Sequence, residues 1–506
     1  MNFNFTSHVI KNFQFLKNIE DFQELNLCIL KLNTPSKGYL TPLSKINFID
    51  DGVNTEYINN KAQLVFIYKD KLKTGEFLIE LSLKDESLNI SKQKFNKNLE
   101  VSEFNKAVDC LIKWCESVLL AKNIKTTFNY KVNNYEGPED MILTAGPLIT
   151  HYENIYTLDA VNNGWNTQWS KYLDKFENEF SNYIGSKFAI STSSCTGALY
   201  LSLLACGIGE GDEVIVPELT WVATASAIKY VGATPVFADV DLETWCIDTN
   251  DLQNILTENT KAIMPVHLYG NPAEMSKIMS FANENNLSVI EDAAPAIGAT
   301  YNNQKVGSFG DFGCFSFQGA KLLVTGEGGM VVTNDEEKFN KLKKLWDHGR
   351  VPGTFWIDEL GYKFKMSNLQ AAFGLGQLEN IEALIESKKR NYTRYVENLK
   401  NTKGIKLSRA GKNTESIYWM TSVLIDSELN IEREALTNQL RDLNIDTRPV
   451  FPAISQYPIW GKKYKENPNS KIIAENAFNL PSGVNLKKEE IDYICESIIS
   501  IMSGSY

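Results

Sequence analysis

The sequence predicts an α/β protein built on a mostly parallel sheet, with an α+β portion at either end of the chain. Three observations carry that expectation. From about residue 140, short β-branched apolar runs alternate with helix-like segments, the pattern of strands and crossover helices in a sheet covered on both faces. Residues 1–135 differ in texture: they are rich in Asn, Lys and Phe and poor in Gly. A long helical stretch ending near residue 400 then leads into a final α+β portion. The division expected is therefore 1–135, 140–388 and 389–506.

In the first portion, "QLVFIYKDK", "GEFLIELSL" and "SLNISKQKF" alternate apolar and polar residues and are separated by turn-like "KLKTG" and "KDE". They read as an antiparallel meander. "SEFNKAVDCLIKWCESVLLAK" follows, with Phe104, Val108, Leu111, Cys115 and Val118 at helical spacing and Ser102 as N-cap. "IKTTFNYKV" suits a returning strand, and "NNYEGPED" (133–140) a linker. In the second portion, "DEVIVP", "TPVFADV", "KAIMPVHLYG" and "LSVIEDAA" read as buried strands. "TGALYLSLLACG" and "EMSKIMSFANENN" read as helices between them. "MSNLQAAFGLGQLENIEALIESKKRNYTRYVENLK" reads as one long helix.

The bulk numbers exclude several function classes. A net charge of −11 over 506 residues argues against nucleic acid or an anionic membrane as the main partner. The N-terminus lacks a basic region followed by an apolar core, and no run reaches the roughly 18 apolar residues of a membrane span. Eight cysteines without a C-x-x-C pair suit reduced thiols in a cytoplasm. The four histidines, His8, His151, His267 and His348, share no metal-ligand spacing, so no metal site is expected.

The chemistry is concentrated where strands end, the edge at which such sheets bind ligands. Lys321 is the one lysine in "SFQGAKLLVTGEGG", a strip of small and glycine residues that clears space around it. A lysine in such a pocket serves as a nucleophile once its surroundings lower its pKa. Asp292 ends the run "LSVIED"; a carboxylate there either caps the next helix or holds a proton on a heteroaromatic nitrogen. Thr196 and Gly197 stand where "STSSCTGAL" enters a helix, a place for N-capping or for a phosphate, and Ser316 offers a further hydroxyl. Trp221, just after "DEVIVP", is either core or a flat partner for a flat ring. Phosphate site, stacking ring, acid for a ring nitrogen and pocket lysine together are what pyridoxal 5′-phosphate requires.

With those residues in place, the chain from about 140 to 505 resembles the DegT-type sugar aminotransferases, pyridoxal-phosphate enzymes of fold type I. The motifs that carry the resemblance are "SSCTGAL", "GDEVIVPELTWVATASAI", "IEDAAPAIGA", "GSFGDFGCFSFQGAKLLVTGEGG", "LGYKFKMSNLQAAFGLGQLE" and "TRPVF". The resemblance implies that Lys321 is the Schiff-base lysine and Asp292 the partner of the pyridine nitrogen. It implies Trp221 as stacking ring, Thr196, Gly197 and Ser316 as phosphate contacts, and Lys365 as a phosphate contact reaching across a homodimer interface. Pro295, Trp169 and Ser455 depart from the family pattern, with Trp169 and Ser455 expected near the substrate mouth.

The function expected from the resemblance is transfer of an amino group from glutamate to a nucleotide-linked keto sugar, for a surface glycan such as lipopolysaccharide or capsule. The same chemistry on a small phosphorylated ketone, and a non-catalytic cofactor-binding regulator, remain as alternatives. Residues 1–135 lack a glycine-rich phosphate loop and any His, Cys or acidic cluster with a recognisable site. Interaction, oligomerisation or substrate presentation is expected of them rather than catalysis.

Overall fold

The computed structural model describes residues 141–503 apart from 427, 429, 430 and 462, together with the backbone of four strands before residue 100. The expected helix at 102–122, the strand after it and the linker at 133–140 lie outside the described residues. The chain separates into two compact units, one of residues 1–134 with 150–155, the other of 135–149 with 156–506.

In the first unit, β1 (Ile46–Asn47), β2 (Lys61–Lys69), β3 (Thr74–Lys84) and β4 (Ser87–Phe95) form one antiparallel sheet in that order. Strands β2 to β4 are the meander read from the alternating segments.

The second unit is organised on a seven-stranded sheet. Its strands are β5 (Phe188–Thr192), β6 (Glu213–Pro217), β7 (Thr234–Ala238), β8 (Thr260–Ile263), β9 (Ser288–Asp292), β10 (Phe312–Ser316) and β11 (Gly329–Thr333). The spatial order is β5-β11-β10-β9-β8-β6-β7, and β11 alone runs antiparallel to its neighbours. The carboxyl ends of β5, β6, β9 and β10 therefore meet at one edge. Strand β8 is shorter than the run "KAIMPVHLYG" suggests, because Pro265 has no N–H to continue the ladder.

Helices cover the sheet: α1 (Lys171–Ile184), α2 (Cys195–Ala205), α3 (Ala223–Tyr230), α4 (Met275–Glu284) and α5 (Glu336–Trp346). Helix α1 sets Phe176 and Phe180 against Phe315 and Phe317, with ring centroids 5.0–5.5 Å apart across the pairs. These four rings are fully buried and pin the end of β10. The long helix expected from 366 onward is in fact two, α6 (Asn368–Glu379) and α7 (Ile381–Leu399). Asn380 sits between them at ψ 9°, off the helical path. The apolar pattern runs through the break because both helices bury a face, which is why periodicity alone does not reveal it.

The last portion is a four-stranded antiparallel sheet, β12 (Ile405–Leu407), β13 (Ser422–Ile425), β14 (Arg448–Pro449) and β15 (Ala477–Asn479), in the order β12-β13-β15-β14. Helices α8 (Arg433–Asp442) and α9 (Lys488–Met502) contribute to its core. Trp419 precedes β13 and Phe451 follows β14, so this sheet supplies side chains to the edge where β5, β6, β9 and β10 end.

Candidate active site

A cavity of about 430 Å³ opens at that edge. Its lining includes Ser194, Cys195, Thr196, Trp221, Thr224, Asp292, Ser316, Lys321, Trp419 and Phe451. Each arrives by a local rule. Side chains alternate along β9, so Glu291 points away from the cavity and Asp292 toward it. Glu291 is fully buried and accepts from the N–H groups of Gly307, Phe309 and Gly310. His267 Nδ1 accepts from the Ala273 N–H, which leaves Nε2 to donate to Glu291 at 3.1 Å. This staple fixes the strand end from behind.

Asp292 is held from the front as well. Its Oδ2 accepts from the Thr224 hydroxyl (2.7 Å) and its Oδ1 from the Ala294 N–H (3.1 Å). Burial pushes its carboxyl up, while those two hydrogen bonds and the charge of Lys321 pull it back down. Each oxygen keeps a lone pair for a further donor. Lys321 follows β10 through a turn closed by its own N–H to the Gln318 carbonyl (2.8 Å). Burial pushes its amine below the usual lysine range, opposed by Asp292. The ammonium lies over the Trp419 ring, 3.9 Å from its centroid.

The glycines after Lys321 serve the geometry. Gly326 has φ +84°, which a side chain would strain. A Cβ on Gly329 would come within 2.6 Å of the Cys195 nitrogen; only glycine lets β11 pass that close to the loop at the start of α2. That loop and the first turn of α2 present the Ser194 and Thr196 hydroxyls, and the end of β10 adds that of Ser316, beside a helix N-terminus, the arrangement that binds anions.

The structure thus gathers Lys321, Asp292, Thr196, Trp221 and Ser316 around one cavity. Gly197 is in the first turn of α2, and its N–H donates to Ser194 Oγ at 3.1 Å, capping the helix. Lys365 does not line the cavity of its own chain. Its ammonium pairs with Asp347 at 2.5 Å and lies over Trp346, in a neighbouring cleft of about 530 Å³ shared with Trp169, His348, Arg350, Phe355, Ile357 and Lys363. Trp169 is therefore on the rim of that cleft. Ser455, expected at the substrate mouth, is instead buried and bonded to Glu218, away from the cavity. A serine is small enough for its backbone to fold inward there, and the Glu218 carboxylate needs a donor. Pro295 does line the cavity and brings no N–H to it.

Thr224, Trp419 and Phe451 escape the sequence reading. Thr224 stands one helical turn after Trp221 and was open to discovery from that spacing. Trp419 and Phe451 come from the distant final sheet, and no local pattern announces them.

The family model for the DegT/DnrJ/EryC1/StrS aminotransferases matches residues 148–499. The chain belongs to that family. GDP-perosamine synthase of Escherichia coli O157:H7 is 42% identical over 353 residues, covering 70% of this chain and 96% of that protein. A UDP-N-acetyl-3-dehydro-α-D-glucosamine 3-aminotransferase of Acidithiobacillus ferrooxidans is 37% identical over 331 residues, 65% and 88% of the two chains. Helicobacter pylori PseC, an aminotransferase in pseudoaminic acid biosynthesis, superposes with a TM-score of 0.69 at 25% identity, over 72% of this chain and all of that one.

The protein is accordingly a pyridoxal phosphate-dependent transaminase of fold type I. The cavity of this aminotransferase fits the cofactor on its own terms. Asp292 offers an acceptor to a ring nitrogen, the α2 loop offers hydroxyls to a phosphate, and Lys321 has an amine free of any hydrogen-bond acceptor among the described residues.

Proposed function

We propose that the enzyme moves an amino group from glutamate to the ketone of a nucleotide-linked deoxy sugar, making an amino sugar for a surface glycan such as lipopolysaccharide or capsule. The observation that carries the reading is that half-buried Lys321 and buried Asp292 line one cavity. Pyridoxal phosphate, when bound, supplies the electron sink for the amine's carbon. Lys321 would hold the cofactor through its amine and, when that amine is free, would move a proton at the substrate carbon. Asp292 keeps the ring nitrogen protonated, and Thr224 and Ala294 N–H keep Asp292 aimed. Trp221 covers the ring, while Thr196, Ser316 and the first turn of α2 at Gly197 hold the phosphate.

The nucleotide part of the substrate is supported by the names of two relatives. The cleft around Lys365 also suits it: Arg350, Lys363 and Lys365 bring positive charge beside Trp169 and Phe355, a pairing that takes phosphate and base together. Segment 351–361 exposes Phe355, Trp356 and Leu360 (95%, 71% and 83% accessible). Apolar side chains so exposed mark a contact surface. We assign it to a second copy of the chain, with Lys365 completing the neighbour's phosphate site in a cytoplasmic homodimer. Residues 1–135 serve interaction or substrate presentation in this reading.

Mass spectrometry of products from a panel of keto-sugar nucleotides and keto phosphates, each with glutamate, tests it. The expected result is an amine made from a nucleotide-linked ketone together with 2-oxoglutarate. Conversion of keto phosphates alone would contradict it.

A further inference from the structure

Lys321 Nζ has no hydrogen-bond acceptor among the described residues, and its contact is the indole face of Trp419. That residue is held at three points, two of them on its ring. Its Nε1–H donates to the Ala320 carbonyl at 2.9 Å, on the chain that carries Lys321. Its own carbonyl accepts from Lys388 Nζ at 2.8 Å, and the same ammonium donates to the Ser482 carbonyl. Its face stacks on Tyr269, centroids 6.0 Å apart and planes 26° from parallel. Tyr269 stacks in turn on Phe451 (5.5 Å, 19°), and Phe451 meets Trp221. An aromatic wall thus runs from Trp221 to Lys321, with Trp419 at the lysine end.

We propose that Trp419 is a positioning residue for Lys321: its face receives the Lys321 ammonium whenever that lysine is not bonded to the cofactor, and so keeps the shuttled proton on the lysine. The inference rests on the reading of Lys321 given above. Three groups favour the ammonium: the charge of Asp292, the Cys195 thiol and the π face of Trp419. When a protonated ring nitrogen sits on Asp292, that negative charge is already matched. The indole face, 3.9 Å away, is then the direct contact that stabilises a cationic lysine, with Cys195 and Glu327 also on the cavity wall, and a cation over an aromatic face is stronger the less water it meets. An ammonium formed by taking a proton from the substrate carbon would be kept within the cavity until it delivers that proton.

The test is the pH dependence of recombination between the cofactor-free protein and pyridoxal 5′-phosphate, read by absorbance. Condensation requires the neutral amine, which adds to the aldehyde carbon with loss of water. Wild-type recombination rises with pH through a midpoint set by Lys321. Trp419→Leu removes the face, so the midpoint falls by about one unit, and recombination below both midpoints becomes about ten-fold faster. Trp419→Phe keeps a weaker face and gives a smaller fall of the same sign. Should the leucine variant fail to fold or to take up cofactor, competitive acetylation of Lys321 in the phenylalanine variant, quantified by peptide mass spectrometry against pH, reads the same equilibrium. An unshifted midpoint in the folded leucine variant, or unshifted acetylation in the phenylalanine variant, overturns the proposal. Borohydride reduction and peptide mapping separate the two layers: cofactor fixed on Lys321 with no shift refutes Trp419 alone, whereas cofactor fixed on another lysine refutes both.

Discussion

The cavity around Lys321 and the cleft around Lys365 lie in the same unit, and they hold their charges in opposite ways. In the cavity, Asp292 is buried and Lys321 half-buried, and their neighbours are strand ends, one helix cap and stacked rings. In the cleft, Lys365 and Arg350 both lean on the single carboxylate of Asp347, beside apolar side chains that face solvent. The first arrangement draws its reacting groups, Lys321 and Asp292, from one chain. The second has exposed apolar surface and surplus positive charge, which is what a surface awaiting a partner and an anion retains. The difference teaches that the sheet sets the reacting groups, while the exposed apolar surface gathers on segment 351–361, to which the proposed function gives substrate and subunit recognition.

Breaking the cavity side should cost most. Asp292→Asn keeps the shape and the acceptor for Thr224, but it has no negative charge with which to hold a ring proton. Transamination by this variant is expected to fall at least about a hundredfold, about 3 kcal/mol at the reacting centre. Steady-state rates on glutamate with any accepted ketone measure it, and near-native turnover would reduce Asp292 to a structural cap.

The cleft side is sharpened by Lys365→Ala. A loss of about ten-fold is expected, one charge-assisted contact at a phosphate. Mixing this variant with Lys321→Ala, under conditions of confirmed subunit exchange, should raise activity above either parent, because one site of each hybrid is then intact. Activity that stays at the parental level would place the action of Lys365 within its own chain.

The smallest effect concerns the frame rather than either site. Glu177 of α1 accepts from the Ser191 N–H (2.8 Å) and hydroxyl (2.6 Å) on β5, and burial pushes its carboxyl up to about 7. The folded protein therefore keeps this proton up to about pH 7, while the unfolded chain releases it near the ordinary glutamate value. Between those limits the folded state binds more protons, so this group's contribution to stability falls as pH rises through the window. Glu177→Gln keeps an acceptor for Ser191 and cannot ionise. Its melting temperature relative to wild type should climb by about 5 °C between pH 5 and pH 8. A gap that does not change with pH would show that the carboxyl titrates normally.

The cavity was far more legible in the sequence than the cleft, and the reason is physical. A doubly covered parallel sheet writes its strands as short β-branched runs and places its site at their ends. Asp292 after "LSVIE" and Trp221 after "DEVIVP" could thus be found from local pattern. Lys321 was marked by the glycines that the close pass of β11 demands. What stayed hidden was what the chain brings from afar. Trp419 and Phe451 look like ordinary core aromatics before the last sheet folds back. Asp347, whose pairing fixes where Lys365 points, ends an amphipathic helix with nothing to distinguish it. The break at Asn380 and the inward turn of Ser455 likewise depend on packing that no periodicity records.

The central claim is that Lys321 carries the cofactor of a glutamate-using transaminase. Its most direct test is to add glutamate, without a ketone acceptor, to the pyridoxal phosphate-loaded wild type and to Lys321→Ala, and to identify the cofactor released from each by absorbance and mass. Pyridoxamine phosphate is expected from the wild type, and unchanged pyridoxal phosphate from the alanine variant. Pyridoxamine phosphate formed by Lys321→Ala at the wild-type rate would contradict it.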